Sequence, residues 1–201
     1  CQGPGRELRI SSAPNMNATT QSEHSQDPAE SGPTERWVTG NGIPVTLRAI
    51  SPDDVAISKD FLAGLSFGTR YFRFGRGDFQ YTDDELRRLC TPAPGERAQF
   101  IAIARCDGVD RMIGSARYVV ESDGRTCEMA IVVNDDWQGH GVGRRLMSAL
   151  IEQARRDHLQ TMVGKVLGSN AGMAEFARRQ GFDVDDRSRP GLKTIVRPLG
   201  P

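Results

Sequence analysis

Seven consecutive residues, Gln138-Gly139-His140-Gly141-Val142-Gly143-Arg144, carry the strongest chemical signal in this chain. Their three alternating glycines let the backbone take positive φ and let a ligand come close. The run opens into Arg144–His158, where Leu146, Met147, Leu150, Ile151 and Ala154 form one apolar stripe of a helix. N–H groups at such a helix start, with the helix dipole behind them, face a diphosphate. A strand-to-helix turn with no ligand is the plainer alternative. The run is not a Walker A loop, which needs Gly-Lys-Ser/Thr where this chain has Gly-Arg-Arg. Nor does it match the dinucleotide fingerprint G-x-G-x-x-G, which follows the first of several parallel strands. Upstream, Glu128 is the only acid in the otherwise apolar run Cys127–Val133. A charge inside a central strand requires a reason.

These residues need a scaffold, and the pattern around them supplies one. Pro44–Ala49 alternates as a strand, and Ser51-Pro52-Asp53-Asp54 begins a helix expected to reach about Leu65. Thr82 and Glu85 stand at capping-box spacing and start another helix. Three strand-like runs follow, Gln99–Arg105, Arg111–Glu121 and Arg125–Asn134, linked through the hairpin dipeptides Asp107-Gly108 and Asp123-Gly124. They predict an antiparallel meander. A strand at Thr161–Leu167 after the long helix implies a right-handed crossover and one parallel pairing. Ser169-Asn170 begins a helix that stops at Gly181, and Leu192–Arg197 closes the sheet. The conformation of the aromatic and cationic stretch Thr69–Gly75 stays open.

The composition excludes several classes. The 201 residues carry 26 basic and 26 acidic side chains, so no global cationic field gathers nucleic acid or anionic lipid. The 24 basic and 21 acidic residues after position 35 leave that part at only +3. Apolar runs of about five residues fall short of the roughly twenty a membrane helix needs, and none near the start has a secretory signal's apolar core. Residues 1–35 are too poor in apolar side chains to offset their ordering entropy and read as a disordered tail before a domain at 36–201. Cys1, Cys90, Cys106 and Cys127 form no C-x-x-C pair, and His24, His140 and His158 complete no cluster. Free thiols, no metal and a cytoplasmic setting are therefore expected.

The glycine run resembles the acyl-CoA-binding motif Q/R-x-x-G-x-G/A of the GNAT superfamily of N-acetyltransferases, with Gln138, Gly141 and Gly143 on its defined positions. The similarity extends over about residues 43–198 and is strongest to the acetyltransferase domains of bacterial protein-lysine acetyltransferases. Its matching stretches are Leu65-Ser66, Arg70–Phe74, Cys127–Gly139, Val163–Leu167, Asn170, Met173 and Gly181-Phe182. The resemblance implies an α/β fold of the α+β type: a single domain whose mixed, centrally splayed sheet is flanked by helices. It implies acetyl-CoA as acyl donor, its pantetheine arm bonded to the main chain of Ile131, Val132 and Val133. Gln138, Gly139, His140, Gly141, Val142, Gly143 and Arg144 would meet the pyrophosphate, with main-chain N–H groups around Val133 polarising the thioester carbonyl. Asn170 would meet the cofactor or substrate arm, or simply cap its helix.

The same resemblance makes Glu128 the general base. An acceptor ammonium with pKa near ~10.4 must lose a proton before it attacks a thioester, and a carboxylate facing the cleft can take it. The alternative for Glu128 is a structural ion pair, with Arg117 across the hairpin as partner. Many relatives carry a tyrosine where this chain has Phe176, so the general acid is unassigned. The expected reaction is direct transfer to a primary amine, preferentially a protein lysine, with Arg70 and Arg73 edging the acceptor groove. A small-molecule amine and a non-catalytic acyl-CoA sensor are the rivals. Acetylation of charged transfer RNA has little support from a charge of +3, so neither nucleic acid nor membrane is an expected partner.

Overall fold

The computed structural model describes residues 34–200 apart from 79, 92, 94–96 and 190. The tail expected at 1–35 lies outside the described residues except Thr34 and Glu35, and Glu35 already belongs to the first strand, β1 (Glu35–Val38). After β2 (Pro44–Ala49) and a 3-10 turn at Pro52–Asp54 come three short helices: α1 (Val55–Ala63), α2 (Phe67–Phe74) and α3 (Asp83–Leu89). The meander follows as β3 (Arg97–Cys106), β4 (Val109–Val120) and β5 (Thr126–Val133). Next come α4 (Val142–Arg156), β6 (Thr161–Leu167), α5 (Ala171–Arg179), β7 (Asp183–Arg189) and β8 (Leu192–Pro198). The eight strands make one mixed sheet in the order β1-β2-β3-β4-β5-β6-β8-β7. Among the described strands, only β5 and β6 pair in parallel, as the crossover through α4 requires.

Local chemistry explains the element ends. The stretch left open between the first two predicted helices is α2: Ser66 Oγ accepts from Thr69 N–H at its start, and Gly75 ends it at φ 78°. Thr82 and Glu85 form the expected capping box of α3. Asp107 and Gly108 both take positive φ, as a tight hairpin demands. The helix expected from Pro52 to about Leu65 divides into a 3-10 turn and α1. Strands β1 and β7 sit at the two edges and carry too little alternation to be read beforehand.

Strand periodicity divides the sheet into two faces. Phe100, Ala102, Ala116, Tyr118, Cys127 and Met129 point back into a large core filled by the α4 stripe. Ile101, Ile103 and Met112 point forward to Phe61 of α1, Leu65 and Cys90. An extra residue at Ile113, opposite the Ala102/Ile103 step, lets β4 keep both faces filled across a bulge. At the back, Tyr118 is wholly buried and its hydroxyl donates to Asp157, which also accepts from Gln153. At the front edge, Arg48 grips Asp54 bidentately at 2.7 Å, and Ser51 N–H and Oγ donate to the same carboxylate.

Burial works against the Asp54 charge, but the Arg48 and Ser51 hydrogen bonds outweigh it and hold its pKa below the usual carboxylate value. A depressed carboxylate stabilises the fold fully above its unfolded pKa of ~3.9, and that contribution is lost as pH falls through the lower folded value. Asp54→Asn is therefore expected to cost about 1–3 kcal/mol at pH 7 and to flatten the acid limb. Urea unfolding measured from pH 7 down to about 2.5 checks both; an acid limb as steep as wild type's would remove Asp54 as its source.

Candidate active site

The site begins where two neighbouring strands part. β5 and β6 share only three register pairs, Thr126↔Thr161, Cys127↔Met162 and Glu128↔Val163. Beyond Glu128, the remaining residues of β5 have no strand partner on that side among the described residues, and a wedge opens towards the carboxyl ends of both strands. Asn134 N–H donates to Ile113 C=O on the β4 side. By the two-residue period, Ile131 and Val133 therefore aim their N–H and C=O groups into the wedge. Gln138 reaches back to one of them, its Nε2 donating to Val133 C=O at 3.2 Å. Val132 is placed differently from its two neighbours: its main chain faces β4, and its side chain joins the front core.

Above the open end of the wedge lies the glycine run. Gly139 and Gly141 take φ 78° and 82°, conformations that side chains with a Cβ rarely adopt. A Cβ at either would meet nothing within 4 Å. Gly141 is the N-cap of α4 and offers no side chain to cap it. Among the described residues, no acceptor receives the N–H groups of residues 139–144, while Arg145 N–H returns to Gly141 C=O. A row of outward donors at a helix start with open space before it fits an anionic diphosphate. His140 folds back, its Nδ1 2.9 Å from Gln138 C=O and its ring 6.2 Å from that of Trp137. Val142 is wholly buried and anchors the turn, and Arg144 stands in the first turn of α4. Gly143 faces Phe176 and Val133, leaving about 3.5 Å between a Cβ there and the Phe176 ring. Phe176 thus packs at the wedge wall as an apolar side chain. Asn170 caps α5, its Oδ1 accepting from Met173 N–H at 3.0 Å.

Glu128 is the last paired residue at the fork. It shares the front face with Ala130 and Val132, and its partner is Lys165 of β6, whose Nζ donates to Oε2 at 2.7 Å. Arg117, the partner considered from sequence, lies opposite Ala130 instead. Lys165 was missed because only the parallel β5–β6 register brings residues 37 positions apart onto one face. Cys127, one residue away, points into the back core, and burial with Asp157 nearby pushes its thiol up to about 12. A thiolate nucleophile is thereby excluded at that position. Among the described residues, no group of three His, Cys, Asp or Glu is placed to hold a metal ion. No described helix is long and apolar enough to cross a membrane.

A latch connects this region to the front. Asp135, in the turn after β5, accepts from Ser66 N–H at 3.0 Å, Ser66 Oγ at 2.8 Å and Thr69 Oγ1 at 2.7 Å. It therefore holds the start of α2 against the strand that leads to the glycine run. Beneath α2 lies a cleft, partly open to solvent, lined by Arg73, Phe74, Ser115, Arg117, Ala130 and Val132 among others. Arg70 does not line it.

The family model described as Acetyltransferase (GNAT) family matches residues 66–182. "Acetyltransferase PA5475" of Pseudomonas aeruginosa is 29% identical over 161 residues, covering 77% of this chain and 87% of that protein. "L-methionine sulfoximine/L-methionine sulfone acetyltransferase" of the same species is 33% identical over 92 residues, 44% of this chain and 54% of its own length. "Acetyltransferase Pat" of Mycolicibacterium smegmatis is 39% identical over 83 residues, 41% of this chain and 25% of that protein. Among solved structures, the GNAT domain of S. lividans PAT superposes with a TM-score of 0.73 at 21% identity, covering 82% of this chain and 96% of that one. The acetyl-CoA complex of yncA from Salmonella typhimurium gives 0.58 at 21% identity, covering 78% and 95%.

Proposed function

This chain belongs to the GNAT acetyltransferase family, and from that premise we propose that Glu128 deprotonates a primary amine for direct transfer, with a protein lysine as the preferred acceptor. The chain is an acetyl-CoA-dependent acyltransferase. We assign the activity to residues 36–201.

The observation that carries the reading is the parting of β5 and β6 immediately after Glu128. Acetyl-CoA supplies an activated acyl group whose thiolate can leave unaided, with pKa near ~8.5. The chain's own part is to hold that donor and manage one proton. Ile131 and Val133 present main-chain groups to an extended arm in the wedge, while Val132 backs the wedge from the front. Gln138 orders the exit by bonding Val133, and Gly139 to Arg144 direct their N–H groups at the linked phosphates. Val133 N–H is aimed to polarise a carbonyl placed beside it. Glu128 stands at the closed end with its carboxylate on the acceptor side, where it can take the ammonium proton. Lys165 keeps that carboxylate oriented, and an incoming ammonium would compete for it.

The resemblance of Cys127–Gly139 and Val163–Leu167 to the acetyltransferase domains of bacterial protein-lysine acetyltransferases supports a protein lysine as acceptor. The half-open front cleft and the relative named for L-methionine sulfoximine support a small amino compound as the second reading.

Two measurements test the reading. Acetyl-CoA at about 100 times its dissociation constant should stabilise the fold by roughly 2.7 kcal/mol, visible as a rise in Tm. Thiol release should then appear with lysine peptides, whole-lysate proteins or small amines as acceptors, and the best of these names the class. No Tm shift at millimolar acetyl-CoA would defeat the donor site and the transfer together.

A further inference from the structure

The transfer step leaves unused the two guanidinium groups of the front cleft. Arg117 of β4 is opposite Ala130, and Glu128 is its diagonal neighbour on the same face. Diagonal neighbours in an antiparallel pair lie about 7–8 Å apart. Arg73 enters the same cleft from α2, 4.9 Å from the Phe74 ring centroid. No carboxylate lines this cleft among the described residues, and none there forms an ion pair with Arg73 or Arg117.

Two like charges in a half-closed space carry a desolvation cost and repel each other, and an anion between them relieves both. The strain registers on Arg73: burial pushes its pKa down to about 10, Arg117 adds to the fall, and Tyr81 and Glu128 oppose it. Several arginines elsewhere on this chain do have a carboxylate partner. Arg48 holds Asp54 bidentately, and Arg179 and Arg87 each reach a carboxylate on their own helix. The lining also includes the hydroxyl of Ser115 and the amide of Gln99, 3.2 Å apart, Ser58 and Tyr81, and apolar Phe61, Leu62 and Met112.

We infer that the acceptor carries a carboxylate able to lie close to its amine in space, and that Arg73 and Arg117 hold this group while the amine meets Glu128. The inference rests on the acceptor binding on the Glu128 face. It narrows the substrate class to amino-carboxylates, with two sources for the same chemistry: the α-carboxylate of a free amino acid, or an acidic side chain beside a lysine. Bidentate arginine geometry suits a planar carboxylate, and the apolar wall takes the remainder of the acceptor.

Matched acceptors test this. Initial rates at saturating acetyl-CoA are compared for L-methionine against L-methioninamide, L-phenylalanine against L-phenylalaninamide, and capped peptides Gly-Glu-Lys-Gly against Gly-Gln-Lys-Gly. In at least one pair the carboxylate member should have a kcat/KM about 10-fold or more above its neutral partner. Arg117→Gln and Arg73→Gln should reduce that ratio to within about twofold, through KM rather than kcat. Preference in the amino acid pairs identifies a free amino acid, and preference in the peptide pair identifies an acidic neighbour. The inference is overturned if neutral members react as well in every pair, if the arginine variants slow both members alike, or if no member reacts. Should Arg73→Gln not fold, Arg117→Gln decides alone. A carboxylate preference that survives in a fully active Glu128→Gln enzyme overturns the base assignment and leaves the arginine pair standing.

Discussion

Glu128→Gln retains stabilisation by acetyl-CoA and slows amine acetylation by about 10²–10⁴-fold, the range removed with a general base. That loss corresponds to about 2.7–5.5 kcal/mol of transition-state stabilisation. The ion pair with Lys165 is too weak to produce it. Both partners are partly exposed, with side-chain accessibilities of 58% for Lys165 and 35% for Glu128. Such pairs contribute about 0–1 kcal/mol. The amide side chain keeps the size of the carboxylate and one hydrogen-bonding oxygen but no longer accepts a proton. Lys165→Met separates the two roles that Glu128 could have. If Glu128 serves only as an ion-pair partner, the two substitutions lower activity alike. If it is the base, Lys165→Met stays within about tenfold of wild type while Glu128→Gln collapses. Steady-state rates with the best acceptor, beside Tm shifts with acetyl-CoA, make the comparison, and wild-type turnover in Glu128→Gln would end the assignment.

Gly141→Val should raise the apparent dissociation constant for acetyl-CoA by about 100-fold or more and abolish the Tm shift at concentrations that stabilise wild type. Two causes act together. Valine at φ 82° is strained by roughly 1–2 kcal/mol, and the relaxed turn no longer aims its N–H groups together. The added side chain also projects where no protein atom lies within 4 Å, the space through which the phosphates would approach. Gly42 supplies the control, with φ 83° and equally open surroundings in the turn between β1 and β2. Gly42→Val should cost similar stability and leave the acetyl-CoA response intact. Equal loss of ligand response in both variants would mean that general destabilisation, rather than the α4 turn, is being measured.

Much of this site is local chemistry and is therefore legible in the chain. Periodicity marks β3, β4, β5 and α4; Asn170, Thr82 and Ser51 announce helix starts; alternating glycines before an amphipathic run announce a turn with outward donors. Each signal depends on residues within one or two turns of each other, where backbone geometry is dictated by side-chain type. The solitary acid among apolar residues of β5 likewise singles out Glu128 as a candidate without any coordinates. Edge strands β1 and β7 pair on one side only, so their sequences carry a weak pattern.

Register and approach in space belong to the tertiary structure. Lys165, rather than Arg117, meets Glu128 because a parallel crossover aligns Val163 with Glu128, and no local rule specifies which residues a crossover juxtaposes. The three-pair limit of that alignment makes the wedge. Arg73 and Arg117 share a cleft only because Asp135 pins α2 over the front of β4 and β5. Side-chain identity determines which chemistry each residue can do; long-range packing decides which charges are neighbours, since distance along the chain says nothing about distance across a sheet.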